Sequence, residues 1–141
     1  MANITALYGS STTITVTGLA TLANGSSATS PIIDNTGDLN LDALIEVEVA
    51  TASGATSTGY VEVYIKASVN GTDFDDDNND KWAGTINLVT AGAATRRRLV
   101  SVASSFGGAM PPYWQIRVKN STGGAFTAAS VLYRGIKAQA S

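Results

Sequence analysis

The chain has 141 residues, a length suited to one domain, with a formal net charge of −2, 44% apolar residues, no cysteine and no histidine. Disulfides, thiolate chemistry and imidazole-based acid–base or metal chemistry are therefore excluded. The mild acidity, a pI near 4.8, argues against bulk nucleic-acid binding, and no apolar run approaches the ~18 residues of a membrane span.

Residues 1–11 read as an extended arm, small and polar, with Ile4, Leu7 and Tyr8 as anchors. The segment MANITALYGSS has neither a charged n-region nor an apolar h-region, so it is not expected to be a signal peptide. Thr12–Thr17 is β-branched, with Ile14 and Val16 facing inward. Leu19–Ala23 and Ala28–Ile33 flank Asn24-Gly25, a hairpin signal, and residues 34–38 form a turn cluster. Ala43–Thr51 alternates, with Ile45, Val47 and Val49 opposed to Glu46 and Glu48. Tyr60–Val69 alternates as well and is expected to pair with it as a long hairpin. Trp82–Val89, Arg97–Ala103, Tyr113–Asn120 and Ala128–Ile136 are four further strand candidates, with Trp82 and Trp114 in phase with their apolar neighbours and hence expected in the core.

No segment holds a 3.6-residue apolar period across three turns. About eight short strands with turn signals between them predict an all-β fold. We expect a single-domain β-sandwich of jelly-roll type over residues 12–141, preceded by the arm. Its core is thin. Leu, Ile, Val and Phe number 32, about 23 per cent, against the ~20 per cent below which chains tend to disorder. Such a chain gains from burying surface against a partner, so an oligomer or docking onto a larger assembly is expected.

Three patterns could carry chemistry. The acidic loop 73–80 offers Asp75, Asp77 and Asn79 at a spacing that brings oxygens to one Ca²⁺, though it lacks the glycine and the distal glutamate of an EF-hand loop. The plainer reading is a solvated turn whose aspartates accept backbone N–H groups, with no metal and no cofactor. Arg96, Arg97 and Arg98 precede Leu99; on a strand they face alternate sides, so they do not make one phosphate patch. They are read either as cross-strand partners of glutamates such as Glu46, Glu48 or Glu62, or as contacts to an acidic partner surface. Tyr60, Tyr64, Tyr113, Trp82 and Trp114 could stack on sugars. An enzyme is not expected. Serines abound with no histidine to activate them, Lys66 and Lys119 fall on polar faces, and the aspartates cluster in one hydrophilic loop.

Two stretches, GYVEVYIKASVNGTDFDDDNNDKW (Gly59–Trp82) and MPPYWQIRVKNSTGGAF (Met110–Phe126), resemble small proteins from the structural modules of tailed bacteriophages, nearest to the capsid cement, or decoration, proteins. The resemblance implies a jelly-roll-like homo-oligomer, a trimer, on the exterior of an icosahedral head, where it clamps major capsid protein subunits against the pressure of packaged DNA. It brings no catalytic residues, no nucleic-acid partner and no membrane. Partner contacts are expected from Ile4, Leu7, Tyr8 and the Arg96–Arg98 edge. Two rivals are a tail, collar or fibre component and a carbohydrate-binding β-sandwich module.

Overall fold

The computed structural model describes residues 3–140. Its strands are β1 (Ile4–Tyr8), β2 (Thr12–Ile14), β3 (Ser27–Thr29), β4 (Ile33–Asp34), β5 (Asp42–Thr51), β6 (Tyr60–Ser68), β7 (Lys81–Asn87), β8 (Thr95–Ser101), β9 (Tyr113–Ser121) and β10 (Phe126–Ala140). Two 3₁₀ turns, Leu19–Thr21 and Ala103–Phe106, are the only helical segments among the described residues. The strands form two antiparallel sheets. Sheet one runs β1-β10-β5-β8, with β2 also on β10; sheet two runs β3-β9-β6-β7, with β4 also on β9. The architecture is an all-β sandwich of jelly-roll type, as the alternation predicts.

The alternation also sets the core. Ala43, Ile45, Val47 and Val49 of β5 face Val61, Val63 and Ile65 of β6 and Trp114, Ile116 and Val118 of β9 across the gap, all essentially without solvent exposure. Large aliphatic side chains each stabilise the fold by roughly 1.5–3 kcal/mol on full burial, so these three strands carry most of its cohesion. Trp114 reaches across to Tyr133 of β10 in an edge-to-face contact, with ring centroids 5.7 Å apart.

Several expectations are corrected. β5 and β6 do not pair as a hairpin; β5 lies between β10 and β8, and β6 between β9 and β7. Each has an apolar inner face, and stacking those faces buries both, whereas a hairpin would leave them side by side. The connection 52–59 crosses between the sheets and ends at Gly59, where an added Cβ would lie 2.6 Å from the Thr122 carbonyl oxygen. Asn24-Gly25 does not close a hairpin either. Leu19–Thr21 is a 3₁₀ turn, and both β3 and β4 pair with β9.

Trp82 is not in the core but 57% exposed. The register of β7 slips by one residue at Ala83, because Val63 faces Gly84 while Tyr64 faces Trp82. This bulge turns Trp82 outward although Ile86 and Leu88, of the same parity, are buried. Within the segment read as an arm, residues 4–8 are strand β1, paired residue by residue with the end of β10. Met1 and Ala2 of that segment lie outside the described residues.

Candidate interaction site

The acidic loop folds back over the outer face of sheet two. There Lys66 of β6, expected on a polar face, and Arg117 of β9 are buried beneath it. Arg117 binds Asp80 with two bonds, Nε to Oδ2 at 2.6 Å and Nη2 to Oδ1 at 3.0 Å, and the Asp80 side chain is 1% exposed. The Arg117 guanidinium also lies 4.3 Å from the centroid of the Tyr64 ring. The Lys66 ammonium meets Asp77 at 2.5 Å and donates to the Asp75 carbonyl at 2.9 Å.

The three Ca²⁺ candidates are thus engaged with the protein. Asp75 Oδ2 accepts from the Ala67 N–H, Asp77 pairs with Lys66, and Asn79 donates to Asp76. Among the described residues no group of three or more acidic side chains is arranged to hold a metal. The turn itself is built by Asn70, whose Oδ1 accepts the N–H groups of Thr72 and Asp73. Sequence reasoning identified the backbone-accepting turn but missed that it covers two cations; the signal available was the pair Lys66 and Arg117 set against five nearby aspartates.

The hydrogen bond from Lys66 holds the Asp77 carboxyl below its ordinary value of 3.8. A carboxyl depressed in the folded state stabilises the fold above its unfolded pKa, and that contribution is lost as pH falls through the lower folded value. Denaturant midpoints should therefore decline below about pH 4, and Asp77→Asn should flatten that acid limb. On the same face the Tyr64 hydroxyl donates to Glu62, and that bond, with partial burial, pushes the phenol up to about 12. Absorbance titration near 295 nm should show a late tyrosinate step that Tyr64→Phe removes.

The arginine run is divided as strand geometry requires. Arg97 faces outward and pairs with Glu48 across the strand at 2.6 Å. Arg96 and Arg98 turn the other way, along the open side of the sandwich between β8 and β7. Arg96 donates to the Thr90 hydroxyl at 2.9 Å and Arg98 to the Thr85 carbonyl at 3.1 Å. Gly84 makes the approach possible, since an added Cβ would sit 2.7 Å from Arg98 Nε. The three arginines do not form one patch, and each is tied within the chain.

Ile4, Leu7 and Tyr8 are differently placed. β10 pairs with β5 only as far as Ile136 opposite Asp42, and beyond it residues 137–140 pair with β1 alone. The result is a two-stranded ribbon extending past the sandwich. Ile4 is 78% exposed, Leu7 49% and Tyr8 56%. A ribbon of two strands has little stability of its own, and here it carries unburied apolar side chains and a free edge.

A second exposed surface is the outer face of sheet two beside the acidic loop. Trp82 stands exposed there in cross-strand register with half-buried Tyr64, whose other neighbour, Arg117, is under the loop; Tyr60 is further along β6. The Trp82 indole N–H donates to the Thr85 hydroxyl at 3.0 Å, which fixes the ring in the open. Tyr113, of the same parity as Arg117 on β9, is on this face but only partly exposed, and Trp114 points into the core.

No family model and no curated protein matches the chain. Among solved structures it is similar to BuGH86wt in complex with neoagarooctaose, at TM-score 0.50 and 14% identity over 97% of this chain and 20% of that one. It is similar to the xylan-binding module CBM15, at 0.48 and 13% over 96% and 97%. It is also similar to the capsid of Ralstonia phage GP4, at 0.43 and 16% over 95% and 83%. At such identities the likeness concerns the fold alone.

Proposed function

We propose that this chain is a structural virion protein, a capsid cement or decoration protein. It docks as a homo-oligomer, a trimer, on the exterior of an icosahedral phage head and stabilises contacts between major capsid subunits. The reading starts from the sequence resemblance, and the observation that supports it in the structure is the exposed ribbon. Ile4, Leu7 and Tyr8 stand in water on an element too small to hold itself, beside a strand edge able to accept a strand from a capsid subunit. Extended pairing would satisfy the free backbone groups while the apolar side chains become buried. Work done at an edge of this kind is binding, and the reading assigns no reaction.

The test is co-sedimentation with empty heads. The wild-type chain should saturate the heads. A chain lacking residues 2–11 should keep its β-sheet spectrum and fail to bind, as should Leu7→Asp, which retains the ribbon's backbone. Unchanged saturation by both variants would overturn the ribbon's role. Position in a labelled particle separates a head protein from a tail, collar or fibre component.

A carbohydrate-binding reading is favoured by one observation, the exposed and hydrogen-bonded Trp82 beside Tyr64 and Tyr60. Calorimetry against a polysaccharide panel, with and without Ca²⁺, tests it. Heat that disappears in Trp82→Ala would support the reading, and silence throughout removes it.

A further inference from the structure

The stretch from Lys81 to Ser101 makes β7, β8 and the connection between them. It holds four of the chain's nine cations, Lys81, Arg96, Arg97 and Arg98, and no acidic residue. The whole chain has 11 acidic residues and a net charge of −2, so this side is a basic edge on an acidic protein. Of the three arginines only Arg97 has an acidic partner, Glu48. Arg96 and Arg98 form no ion pair with an acidic side chain of the described residues. Each donates only to a neutral oxygen, the Thr90 hydroxyl for Arg96 and the Thr85 carbonyl for Arg98.

Arg96 is incomplete in a specific way. Its Nε is buried and finds no acceptor in the chain. Arg117 shows what completes a guanidinium in this fold: one carboxylate, that of Asp80, accepts from Nε and Nη2 together. At Arg96 the Nη2 half of that fork rests on a hydroxyl, and the Nε half is left over. A carboxylate has the two oxygens that take both. Thr90 is exposed, in a connection rich in glycine and alanine, so its hydroxyl can give way to a better acceptor.

The backbone beside these arginines is free as well. β8 ends sheet one, pairing with β5 on one side and with no strand of the described residues on the other. Arg96 and Arg98 are two residues apart on one face of it, ~6.5 Å along the strand, which is the repeat of side chains on any strand laid alongside. The opposite face carries exposed Leu99, and Arg97 already held by Glu48. We infer that the β8 edge is a docking site for an extended acidic segment of a protein partner. The segment adds to sheet one as a strand and sets carboxylates at alternate positions opposite Arg96 and Arg98. Charge complementarity selects this occupant, because the edge has no counter-charge of its own. A long polyanion such as nucleic acid would run past the edge over an otherwise acidic chain, whereas a short strand meets the arginines alone. The edge is distinct from the ribbon, and the inference does not rest on the cement reading.

Fluorescence anisotropy of the full chain with a labelled decapeptide of alternating glutamate and threonine, at low salt, is the test. The wild type should bind it. A block peptide of the same composition, with all its glutamates at one end, should bind roughly fivefold more weakly, because equal charge without the alternate spacing cannot meet both arginines. Replacing both, Arg96→Gln with Arg98→Gln, should weaken binding of the alternating peptide roughly tenfold or more. Arg98→Gln alone takes only one bond from a backbone carbonyl and leaves the core intact, and it should weaken binding roughly threefold. Arg97→Gln, on the other face, should change it less than about twofold. A wild type that ignores the peptide, equal binding of the two peptides, or equal losses from Arg97→Gln and Arg98→Gln would each overturn the inference. Tighter binding of a thymidine decanucleotide than of the alternating peptide would also overturn it, since the edge would then be a general anion site.

Discussion

Asp80→Ala should lower unfolding free energy by about 3–5 kcal/mol, the range seen when one member of a buried ion pair is removed. Arg117 is left beneath the loop with its guanidinium desolvated. Its second acidic neighbour, Asp77, is 3.8 Å from Nε, and that carboxylate is 64% exposed and already bound to Lys66. The loss exceeds that of a surface pair, whose typical value is under about 1 kcal/mol, because Arg117 does not recover water while the loop stays down. The chain's alternative is to release the loop, hydrating both cations but stripping cover from the outer face of sheet two. Urea unfolding should show the drop, and thermal unfolding a fall on the order of 10 °C. Glu48→Ala is the matched control. It breaks the Glu48–Arg97 pair, which is open to solvent, and should change stability by less than about 1 kcal/mol. Equal effects from the two variants would mean that the loop does not bury its pair in solution.

This ion pair marks where the sequence was legible and where it was not. β5, β6 and β9 were readable because each is a central strand with one fully buried face, and burial on one face imposes a period of two. Which strands pair was not readable, since β5 meets β10 from some 80 residues away and a local pattern carries no record of a distant partner. Polar faces misled in a particular way. Lys66 sits where alternation puts a solvated residue, and it does point away from the core; the loop that covers it comes from ten residues further on. Trp82 failed for a different reason, as a single bulged residue at Ala83 inverted its side. For the arginines, alternation gave the right answer, with Arg97 on one side and Arg96 and Arg98 on the other. Ile4, Leu7 and Tyr8 stand out in the sequence among small polar residues, and the ribbon leaves them exposed. Leu39, in the left-handed region at φ 53°, gave no warning, because that conformation leaves no mark in a string of letters.

Asn120 carries the second large effect. It is fully buried on β9, at the turn that leads into β10. Its Nδ2 donates to the carbonyls of Leu22 at 2.8 Å and Gly124 at 2.9 Å, and its Oδ1 accepts from the Thr122 N–H at 2.9 Å and hydroxyl at 2.7 Å. One amide thus joins the 3₁₀ segment, the β9–β10 turn and the strand between them, with all four bonds made. Asn120→Ala leaves the Thr122 N–H without its partner, at about 1–3 kcal/mol if it cannot find water. It also takes one donor each from the Leu22 and Gly124 carbonyls, which keep the Phe126 N–H and the Thr122 hydroxyl, at about 1 kcal/mol per bond lost. The expected loss is about 3–5 kcal/mol in total, allowing for relaxation and non-additivity. Asn120→Asp is the sharper experiment because it is nearly isosteric. Its Oδ1 can still accept from Thr122, but the second oxygen now faces two carbonyls as an acceptor opposite acceptors. Burial and that repulsion raise the carboxyl's pKa in the folded state, so the folded chain binds the proton more tightly than the unfolded one. The deficit in Asn120→Asp should therefore be largest at neutral pH and shrink as pH falls, opposite in sign to the acid limb set by Asp77. Denaturant midpoints for Asn120→Asp and Asn120→Ala, taken from pH 7 to pH 4, decide the matter. Asn120→Ala should stay offset by a constant amount while Asn120→Asp converges toward wild type, and parallel curves would show that the amide is hydrated rather than sealed in the turn.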